Sequence, residues 1–305
     1  MKISELTHAE LAGALRRGNL LLDLHPFVAR LKSNVPTLAR DVALMYADFS
    51  VLPADAFADF HVEIARETKL ANGFRPEAVF YSDGRPFFIP LAPAQSFAGL
   101  EWGLNWCVTS TSHQYLIFHA AVIERDGKAA VFPAPPGSGK STLCAGLVMK
   151  GWRLLSDELA LYDMQTGLIH GMARPINLKN KSIDVIRAFA PHAQLTTPVP
   201  NTSKGTVALV RPPVESVRRV REPAQPRWII LPKYARDAPP DMAPHSRARA
   251  FMLLAEQSFN YQIHGQQGFD EVSRLIDQTD CFRFTYSRLE DAERSFNALW
   301  EGAGP

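Results

Sequence analysis

Cysteine and long apolar runs are both scarce in this sequence. Of its 305 residues only three are cysteines, Cys107, Cys144 and Cys281, and they lie far apart. An odd and unclustered set favours a reducing compartment over a disulfide framework, and it predicts no metal site. No stretch approaches the roughly 18 apolar residues that a membrane-spanning helix needs, and the first residues lack the apolar centre of a signal peptide.

The charge balance is equally plain. The formal net charge is +2, with 46% hydrophobic and 21% charged residues, as in an ordinary globular protein. A charge this small gives no overall field that would attract nucleic acid or a membrane surface. We therefore expect a cytoplasmic protein with no nucleic-acid partner and no membrane partner.

One short segment carries the main functional signal. Residues 132–142 read FPAPPGSGKST. The apolar run 128–133 before them predicts a strand, and residues 141–150 after them predict a helix with an apolar face. Strand, glycine loop and helix form the setting of a phosphate-binding loop, in which Gly137 and Gly139 allow positive φ angles and close approach to phosphate oxygens. The alternative is a glycine-rich turn before an ordinary helix.

Within such a loop the polar residues have distinct expected roles. Lys140 is expected to reach the β- and γ-phosphates of ATP, and the Ser141 hydroxyl to hold Mg²⁺. The positive end of the helix adds to the attraction. Ala134 replaces the first glycine of the usual motif, at a position that tolerates a methyl group better than the inner glycines. The predicted nucleotide-binding residues are Ala134, Pro135, Pro136, Gly137, Ser138, Gly139, Lys140, Ser141 and Thr142.

The pattern divides the chain near residue 112. Residues 1–112 predict a smaller α/β module of unknown role, with a hairpin turn at 82–85 and a buried helix at 97–108. Trp102 and Trp106, four residues apart on that helix, are expected to be core residues.

Residues 113–305 predict the second domain, which contains the phosphate loop. It begins with a strand from Tyr115 and a hairpin at Asp126-Gly127, and a strand over 152–163 is interrupted by an acidic pair. The proline- and arginine-rich region 191–244 predicts loops with a single strand at 227–231. Its arginines between 211 and 227 suggest either a mobile loop that meets an acidic partner or a solvated loop. Helices are predicted at 246–263, 269–277 and 289–300, with a strand at 282–286.

Several stretches of the chain together resemble a known family. They are FHAAVIERDG, APPGSGKSTLCAGLVMKGWRLLSDELALYD, RPINLKNKSIDVIRAFAP, KGTVALVRPP, PRWIILPKY and AFMLLAEQSFNY. The second domain resembles the catalytic core of HPr kinase/phosphorylase, and the whole chain is similar to the HPr-kinase-related proteins called HprK-related kinase A. The resemblance implies an α/β fold with a P-loop kinase core of the HPr kinase/PEP carboxykinase type and a smaller N-terminal α/β module. It also implies a homo-oligomer as one option.

The resemblance assigns catalytic roles to particular residues. Asp157, which follows the glycine loop and its helix along the chain, matches the aspartate that acts as general base in HPr kinases. Glu158 replaces their second aspartate and could assist Mg²⁺, so the expected metal ligands are Ser141, Asp157 and Glu158. His119 matches a histidine near the γ-phosphate or beside the base. The alternatives are a solvated acidic turn for the pair and a hydrogen-bonded core position for His119.

Cations downstream complete the expected site. Arg174 and Lys179 could neutralise charge in the transition state, and Lys204 is another candidate phosphate contact; the alternative for each is a solvated surface position. The segments MARPINLKN and APHSRARAF replace two motifs that HPr kinases use for phosphorolysis and for contact with HPr. Neither property can therefore be assigned to this chain.

The predicted function is an ATP- and Mg²⁺-dependent kinase acting on a hydroxyl group, of Ser or Thr in a small protein or peptide, or of a small molecule. The main alternative is a P-loop ATPase or nucleotide-dependent switch. A non-catalytic interaction protein is a third option, opposed by the intact Gly-Lys-Ser and the acidic pair. Related proteins are often encoded beside a PqqD-like peptide-binding protein, which suggests a peptide-modification setting.

Overall fold

The protein is a mixed α/β structure. A computed structural model describes residues 1–68, 75–135 and 137–302, and within these ranges the strands form sheets of six, eight and three strands. No helix in the same ranges is long and apolar enough to cross a membrane.

The front part of the chain, up to the end of the predicted first module, builds the six-stranded sheet, in the order β3-β1-β2-β4-β5-β6. Its first two strands, within residues 20–33, form an antiparallel pair. The elements are a 3-10 turn Ile3–Glu5, α1 (His8–Arg17), β1 (Leu20–Asp23), β2 (Val28–Ser33), α2 (Leu38–Met45), β3 (Val51–Leu52), β4 (Phe60–Thr68), β5 (Pro76–Ser82), β6 (Arg85–Pro86), a second 3-10 turn Pro93–Gln95 and α3 (Ser96–Thr111).

The remaining residues build the other two sheets. Their elements are β7 (Tyr115–Arg125), β8 (Lys128–Pro133), α4 (Lys140–Val148), β9 (Arg153–Ser156), β10 (Leu159–Asp163), β11 (Ile169–His170), β12 (Ile176–Lys179), α5 (Lys181–Phe189), β13 (Val199–Thr202), β14 (Gly205–Val210), α6 (Val214–Arg218), β15 (Gln225–Tyr234), β16 (Asp241–Pro244), α7 (Arg247–Glu256), α8 (Tyr261–His264), α9 (Gln266–Asp277), β17 (Asp280–Tyr286) and α10 (Leu289–Trp300).

The large sheet has the order β11-β10-β7-β8-β15-β17-β16, with β9 also paired to β7. Strand β7 is apolar on both faces because both are covered. Ala121 and Ile123 pack in a core with α4 and α10, whereas Ala120 and Val122 pack on the opposite side with α7 and α9. This alternation follows from the two-residue period of a strand and explains why β7 reads as a continuous apolar run.

Asp126 and Gly127 connect β7 to β8 as predicted, with φ angles of 47° and 79°. Positive φ at both positions of a two-residue loop is the conformation that an Asp-Gly hairpin favours. The strand, loop and helix predicted around residues 128–150 are likewise present as β8, the loop and α4.

The region 191–244 contradicts the prediction of a single strand, since it contains β13, β14, β15, β16 and α6. Prolines misled the prediction because Pro200 lies in β13, an edge strand of the three-stranded sheet, where a missing N–H is tolerated. The arginines are also not free for an acidic partner. They pair with carboxylates of this chain in Arg211–Asp48 (2.6 Å), Arg219–Glu222 (2.8 Å), Arg221–Asp23 (2.6 Å) and Arg227–Asp280 (2.9 Å).

The two predicted parts of the chain share an apolar core. Leu159, Leu161 and Leu209 of the second part belong to the cluster formed mainly by the front part. Helix α3 also contacts β14. The boundary between residue 112 and residue 113 stays a prediction, but the front part packs directly against the elements that carry the candidate site.

Candidate functional site

A cleft of about 570 Å³ opens where β8 ends and α4 begins. Its walls come from the glycine loop, from β7, from β12 with the start of α5, and from the ends of β15 and β17. Its lining includes His119, Pro135, Gly137, Ser138, Gly139, Lys140, Ser141, Thr142, Glu158, Asn177, Lys179, Tyr234 and Tyr286. The structure thus brings most of the predicted loop residues to one cleft. Pro136 lies outside the described residues, and Ala134 is buried at the start of the loop.

Both inner glycines have the backbone conformation that the motif requires. The φ angles of Gly137 and Gly139 are 87° and 91°, values that residues other than glycine rarely adopt. A Cβ atom at Gly139 would also lie only 2.6 Å from the Tyr286 hydroxyl, whereas one at Gly137 would meet nothing within 4 Å. The prediction of positive φ is confirmed, and Gly139 has the stricter requirement.

Two tyrosines hold the loop in place. The Tyr286 hydroxyl donates to the carbonyl of Gly139 at 2.9 Å, and the Tyr234 backbone N–H donates to the carbonyl of Ser138 at 2.9 Å. Both bonds engage carbonyl groups of the loop. The first N–H groups of α4 have no partners inside the helix, as at the start of any helix. An anion in the cleft would therefore meet backbone donors and the positive end of a helix.

Lys140 is a buried cation without a hydrogen bond. Its side chain is 7% exposed, and Nζ has no hydrogen-bond partner among the described residues. Burial lowers the pKa of Lys140, while the charges of Asp157 and Glu158 act in the opposite direction. Because an ammonium group has three donors and is costly to bury unpaired, this position favours a bound anion.

The acidic pair lies at a break in strand pairing. Strands β9 and β10 both pair with β7, through Val122 opposite Ser156 and His119 opposite Leu159. Asp157 and Glu158 occupy the gap between these pairs, as predicted. Such interruptions re-aim side chains and are frequent beside functional sites. The gap places the pair beside the residues of β7 that flank the glycine loop.

Asp157 is buried rather than solvated, so the interpretation as an exposed acidic turn is wrong. Its Oδ2 atom accepts a hydrogen bond from the Asn177 backbone N–H at 3.1 Å, and the nearby Ser141 hydroxyl acts to lower the pKa of its carboxyl group. Oδ1 has no partner among the described residues. Burial, followed by the charge of Glu158, raises the pKa of Asp157 to about 6 despite the opposing effect of Lys140.

Glu158 lines the same cleft in a strongly cationic surrounding. Burial alone would raise its pKa, but Lys204, Lys179 and Lys140 hold it below the usual value. Asn105 of α3 donates a 2.6 Å hydrogen bond from Nδ2 to Glu158 Oε2. Glu158 is therefore ionised at neutral pH, and a residue of the front module holds its carboxylate in position.

His119 lies in the cleft close to Lys140 and Glu158, whose charges affect its pKa. Burial and then Lys140 lower the pKa of His119 to about 4, so the ring is neutral at physiological pH. Its Nδ1 atom lies 3.3 Å from Gln257 Oε1. The described hydrogen bonds thus join His119 to Gln257 and not to Asp157, and its catalytic role stays a prediction.

Arg174, like Asp157 and Ala134, is a predicted site residue that does not line the cleft. Arg174 lines a small cavity together with Asp157 and Glu158. There its Nη1 is 3.5 Å from Glu101 Oε2, and its Nη2 donates to Asn105 Oδ1. At 7% exposure the solvated-surface interpretation is wrong for Arg174. A carboxylate already compensates its charge, so it lacks the free position that contact with phosphate would need.

The other two cations differ from Arg174. Lys179 lines the cleft. Lys204 lies outside the cleft lining but close enough to affect Glu158, and its Nζ atom is 4.9 Å from the centre of a Trp102 ring. Burial, and then repulsion from Lys179, lowers the pKa of Lys204, which Glu158 partly offsets.

Sequence reasoning missed the contribution of α3. Trp106 packs on Phe87 as a core residue, but Trp102 lines the small cavity beside Asp157. Glu101 and Asn105, also on α3, reach Arg174 and Glu158. The available signal was a pair of polar residues, Glu101 and Asn105, four positions apart in the apolar central part of the helix.

The predicted metal ligands are partly brought together. Ser141 lies close enough to Asp157 to act on the pKa of its carboxyl group, and Glu158 follows Asp157 in the sequence. Within the described ranges no group of three or more His, Cys, Asp and Glu side chains could hold a metal ion. Mg²⁺ normally takes one or two carboxylates together with phosphate oxygens and water, so these residues fit a nucleotide-bound ion better than a closed metal centre.

A scan against protein-family models finds no match to this chain. A search of curated proteins finds no significant match either.

Proposed function

We propose that this protein is an ATP-dependent kinase that transfers the γ-phosphate of ATP to a hydroxyl group. One observation carries the proposal: a buried ammonium, Lys140 Nζ, and a buried carboxylate oxygen, Asp157 Oδ1, both lack hydrogen-bond partners among the described residues beside a glycine loop. Each is costly to bury unsatisfied. A nucleotide with Mg²⁺ and a hydroxyl acceptor would supply partners to both.

The proposal includes the finer fold and partner assignments. The second domain is a P-loop kinase core of the HPr kinase/PEP carboxykinase type, and the front part is its accessory module. The acceptor is a Ser or Thr hydroxyl of a small protein or peptide, or a small molecule. Association with a PqqD-like peptide-binding protein would fit a peptide acceptor. The proposal also includes a cytoplasmic location and, as one option, assembly into a homo-oligomer.

The lining of the cleft combines charged and exposed apolar side chains, which suits a nucleotide. Lys140, Glu158 and Lys179 line it, and so do Val185 and Tyr234, which keep 43% and 51% of their surface exposed. Exposed apolar side chains in a cleft favour a flat apolar ligand group. We place the base of ATP against Tyr234 and Val185, and its phosphates against the loop.

Mg²⁺ would be held by the Ser141 hydroxyl and Asp157, with assistance from Glu158. When bound, the ion supplies positive charge that offsets the charge on the transferred group. The closeness of Ser141 to Asp157, on whose pKa it acts, is the feature of this chain that fits such an ion.

The protein's own residues account for the proton transfer. The acceptor oxygen bonds to the γ-phosphorus while the bond to the leaving ADP oxygen breaks, and the hydroxyl proton passes to Asp157 Oδ1. Oδ2 is fixed by the Asn177 N–H, so the free oxygen is the one available as base. With a pKa of about 6, Asp157 is ionised at neutral pH. Because this pKa also lies near neutral pH, Asp157 is an efficient general base. Lys140 offsets the phosphate charge.

The alternative is a P-loop ATPase or nucleotide switch, and one observation favours it. Ser141, the residue expected to bind Mg²⁺, lies close enough to Asp157 to act on the pKa of its carboxyl group. In that case Asp157 is mainly a metal ligand, and its loss would weaken Mg²⁺-dependent nucleotide binding. A base, by contrast, is needed only for transfer.

Two variants test the proposal. Lys140→Ala should remove the rise in melting temperature that Mg·ATP gives the native protein, while Lys128→Ala, an exposed lysine of β8, should keep it. Equal ATP-induced shifts in Lys140→Ala and the unsubstituted protein would place the site elsewhere.

Asp157→Asn should bind ATP but lose about 10²–10⁴-fold in single-turnover transfer, the usual worth of a positioned acid–base group. Unchanged transfer would end the assignment of Asp157 as base. Loss of Mg²⁺-dependent affinity together with turnover would favour the switch.

A further inference from the structure

A series of buried polar side chains, each in contact with the next, connects the front module to the acidic pair Asp157 and Glu158. The Tyr46 hydroxyl donates to Glu101 Oε1, and Glu101 Oε2 lies 3.5 Å from Arg174 Nη1. Arg174 Nη2 donates to Asn105 Oδ1, and Asn105 Nδ2 donates to Glu158 Oε2 at 2.6 Å. Glu158 is the last side chain of this series and the one that lines the cleft.

The space around these polar side chains is too small for a second substrate site. The cavity between α3 and the acidic pair measures about 20 Å³, which is room for about one water molecule. Tyr46, Glu101 and Arg174 are all buried. Because so little space remains around these buried side chains, they have few alternative arrangements and act through fixed geometry.

The side chain of Asn105 suits a link between opposite charges. Its amide offers an oxygen acceptor and a nitrogen donor on the same group. Arg174 holds the oxygen, and this leaves the nitrogen directed at a carboxylate. An aspartate at this position would keep the bond to Arg174 but would place two carboxylates together, and a leucine would leave both partners unsatisfied.

We propose that Asn105 is a positioning residue for Glu158, and that the front module thereby completes the nucleotide site. The inference rests on the proposed function, in which Glu158 assists a nucleotide-bound Mg²⁺. Asn105 itself touches neither nucleotide nor metal. It orients the Glu158 carboxylate, which would otherwise be drawn among Lys140, Lys179 and Lys204.

The expected consequence is specific to the metal. Removal of a residue that orients a metal ligand costs about 10–100-fold in metal affinity. Asn105→Ala should therefore lower the ratio of ADP affinity with Mg²⁺ to ADP affinity without it by about 10-fold or more. The affinity for metal-free ADP should stay within about two-fold, because the glycine loop and Lys140 are unchanged.

Calorimetric titration of the full chain with ADP, with Mg²⁺ and then with EDTA, measures both affinities. The matched control is Asn297→Ala, which removes a remote asparagine that accepts a 2.9 Å hydrogen bond from Arg125. It should change neither affinity. If Asn105→Ala does not fold, Asn105→Ser gives the same comparison, because its shorter polar side chain can still contact Arg174.

A double-mutant cycle separates positioning from a general structural role. Glu158→Gln should lower the Mg²⁺-dependent ratio by itself, and adding Asn105→Ala should lower it by less than about two-fold more, since a residue acting through Glu158 has nothing left to orient. Equal losses in both backgrounds would overturn the proposal, as would parallel losses with and without Mg²⁺.

The failure of this inference differs from the failure of the proposed function. Normal Mg²⁺-dependent binding in both the unsubstituted protein and Asn105→Ala would overturn the positioning role alone. An unsubstituted protein that binds no ADP under either condition would overturn the kinase proposal and this inference together.

Discussion

Substituting Asp157 with asparagine should stabilise the nucleotide-free protein, and by more at higher pH. The carboxyl group is buried, and its pKa is raised from the ordinary 3.8 to about 6. The folded state therefore holds the proton more tightly than the unfolded chain, and stability falls as the pH rises from about 4 through about 6. Asparagine carries no charge to bury and can still accept the bond from the Asn177 N–H.

The magnitude follows from the two pKa values. Their difference corresponds to about 3 kcal/mol of destabilisation at pH 8, where the carboxylate is fully ionised. At pH 5 the group is largely protonated in the folded protein, and the destabilisation is about half as large. The stabilisation by Asp157→Asn should therefore grow by about 1–2 kcal/mol between pH 5 and pH 8.

Urea unfolding at pH 5, 6, 7 and 8 without nucleotide or Mg²⁺ provides the measurement, read as the shift in midpoint. Glu10→Gln is the control. Hydrogen bonds from the backbone and side chain of Thr7 lower the pKa of Glu10, so its titration lies below this pH range and its effect should be constant. An Asp157→Asn effect that is the same at pH 5 and pH 8 would refute the idea of a buried, functional carboxylate.

Two further predictions concern the nucleotide. Tyr234→Ala should weaken ATP binding about 10-fold or more but leave tripolyphosphate binding unchanged, because in the proposed placement the base, and not the phosphates, contacts the ring. Equal loss for both ligands in calorimetry would contradict this placement of the base. Gly139→Ala should abolish the ATP-induced rise in melting temperature and destabilise the protein by more than about 1 kcal/mol, because positive φ and the Tyr286 hydroxyl both oppose a Cβ there. Gly137→Ala should be milder, and a Gly139→Ala protein with a normal ATP shift would contradict the proposed loop geometry.

The elements were predictable where one stretch of sequence contains all the interactions that define them. The Asp126-Gly127 hairpin follows from two residues that tolerate positive φ. The region 191–244 was not predictable in the same way. Whether Pro200 ends a strand or lies at a sheet edge depends on which neighbour pairs with β13, and local sequence does not contain that information.

The charged residues show the same limit. Arg221 reads as a surface cation in the sequence, yet it pairs with Asp23 at 2.6 Å, and the two are 198 positions apart. Arg174 reads as a phosphate contact, yet Glu101 and Asn105 engage it. The partner of a long charged side chain is set by the packing of distant segments, so only the folded chain shows which cations remain free.

By itself the sequence determined the glycine loop, the helix behind it and the break that contains Asp157 and Glu158. These depend on backbone conformation and strand periodicity over a few neighbouring residues. Only the tertiary structure decided that Asn105 touches Glu158 and that, among the residues it describes, Lys140 Nζ and Asp157 Oδ1 are buried without partners. Burial and the pairing of polar groups arise when distant segments exclude water together, and no local pattern specifies which segments will meet.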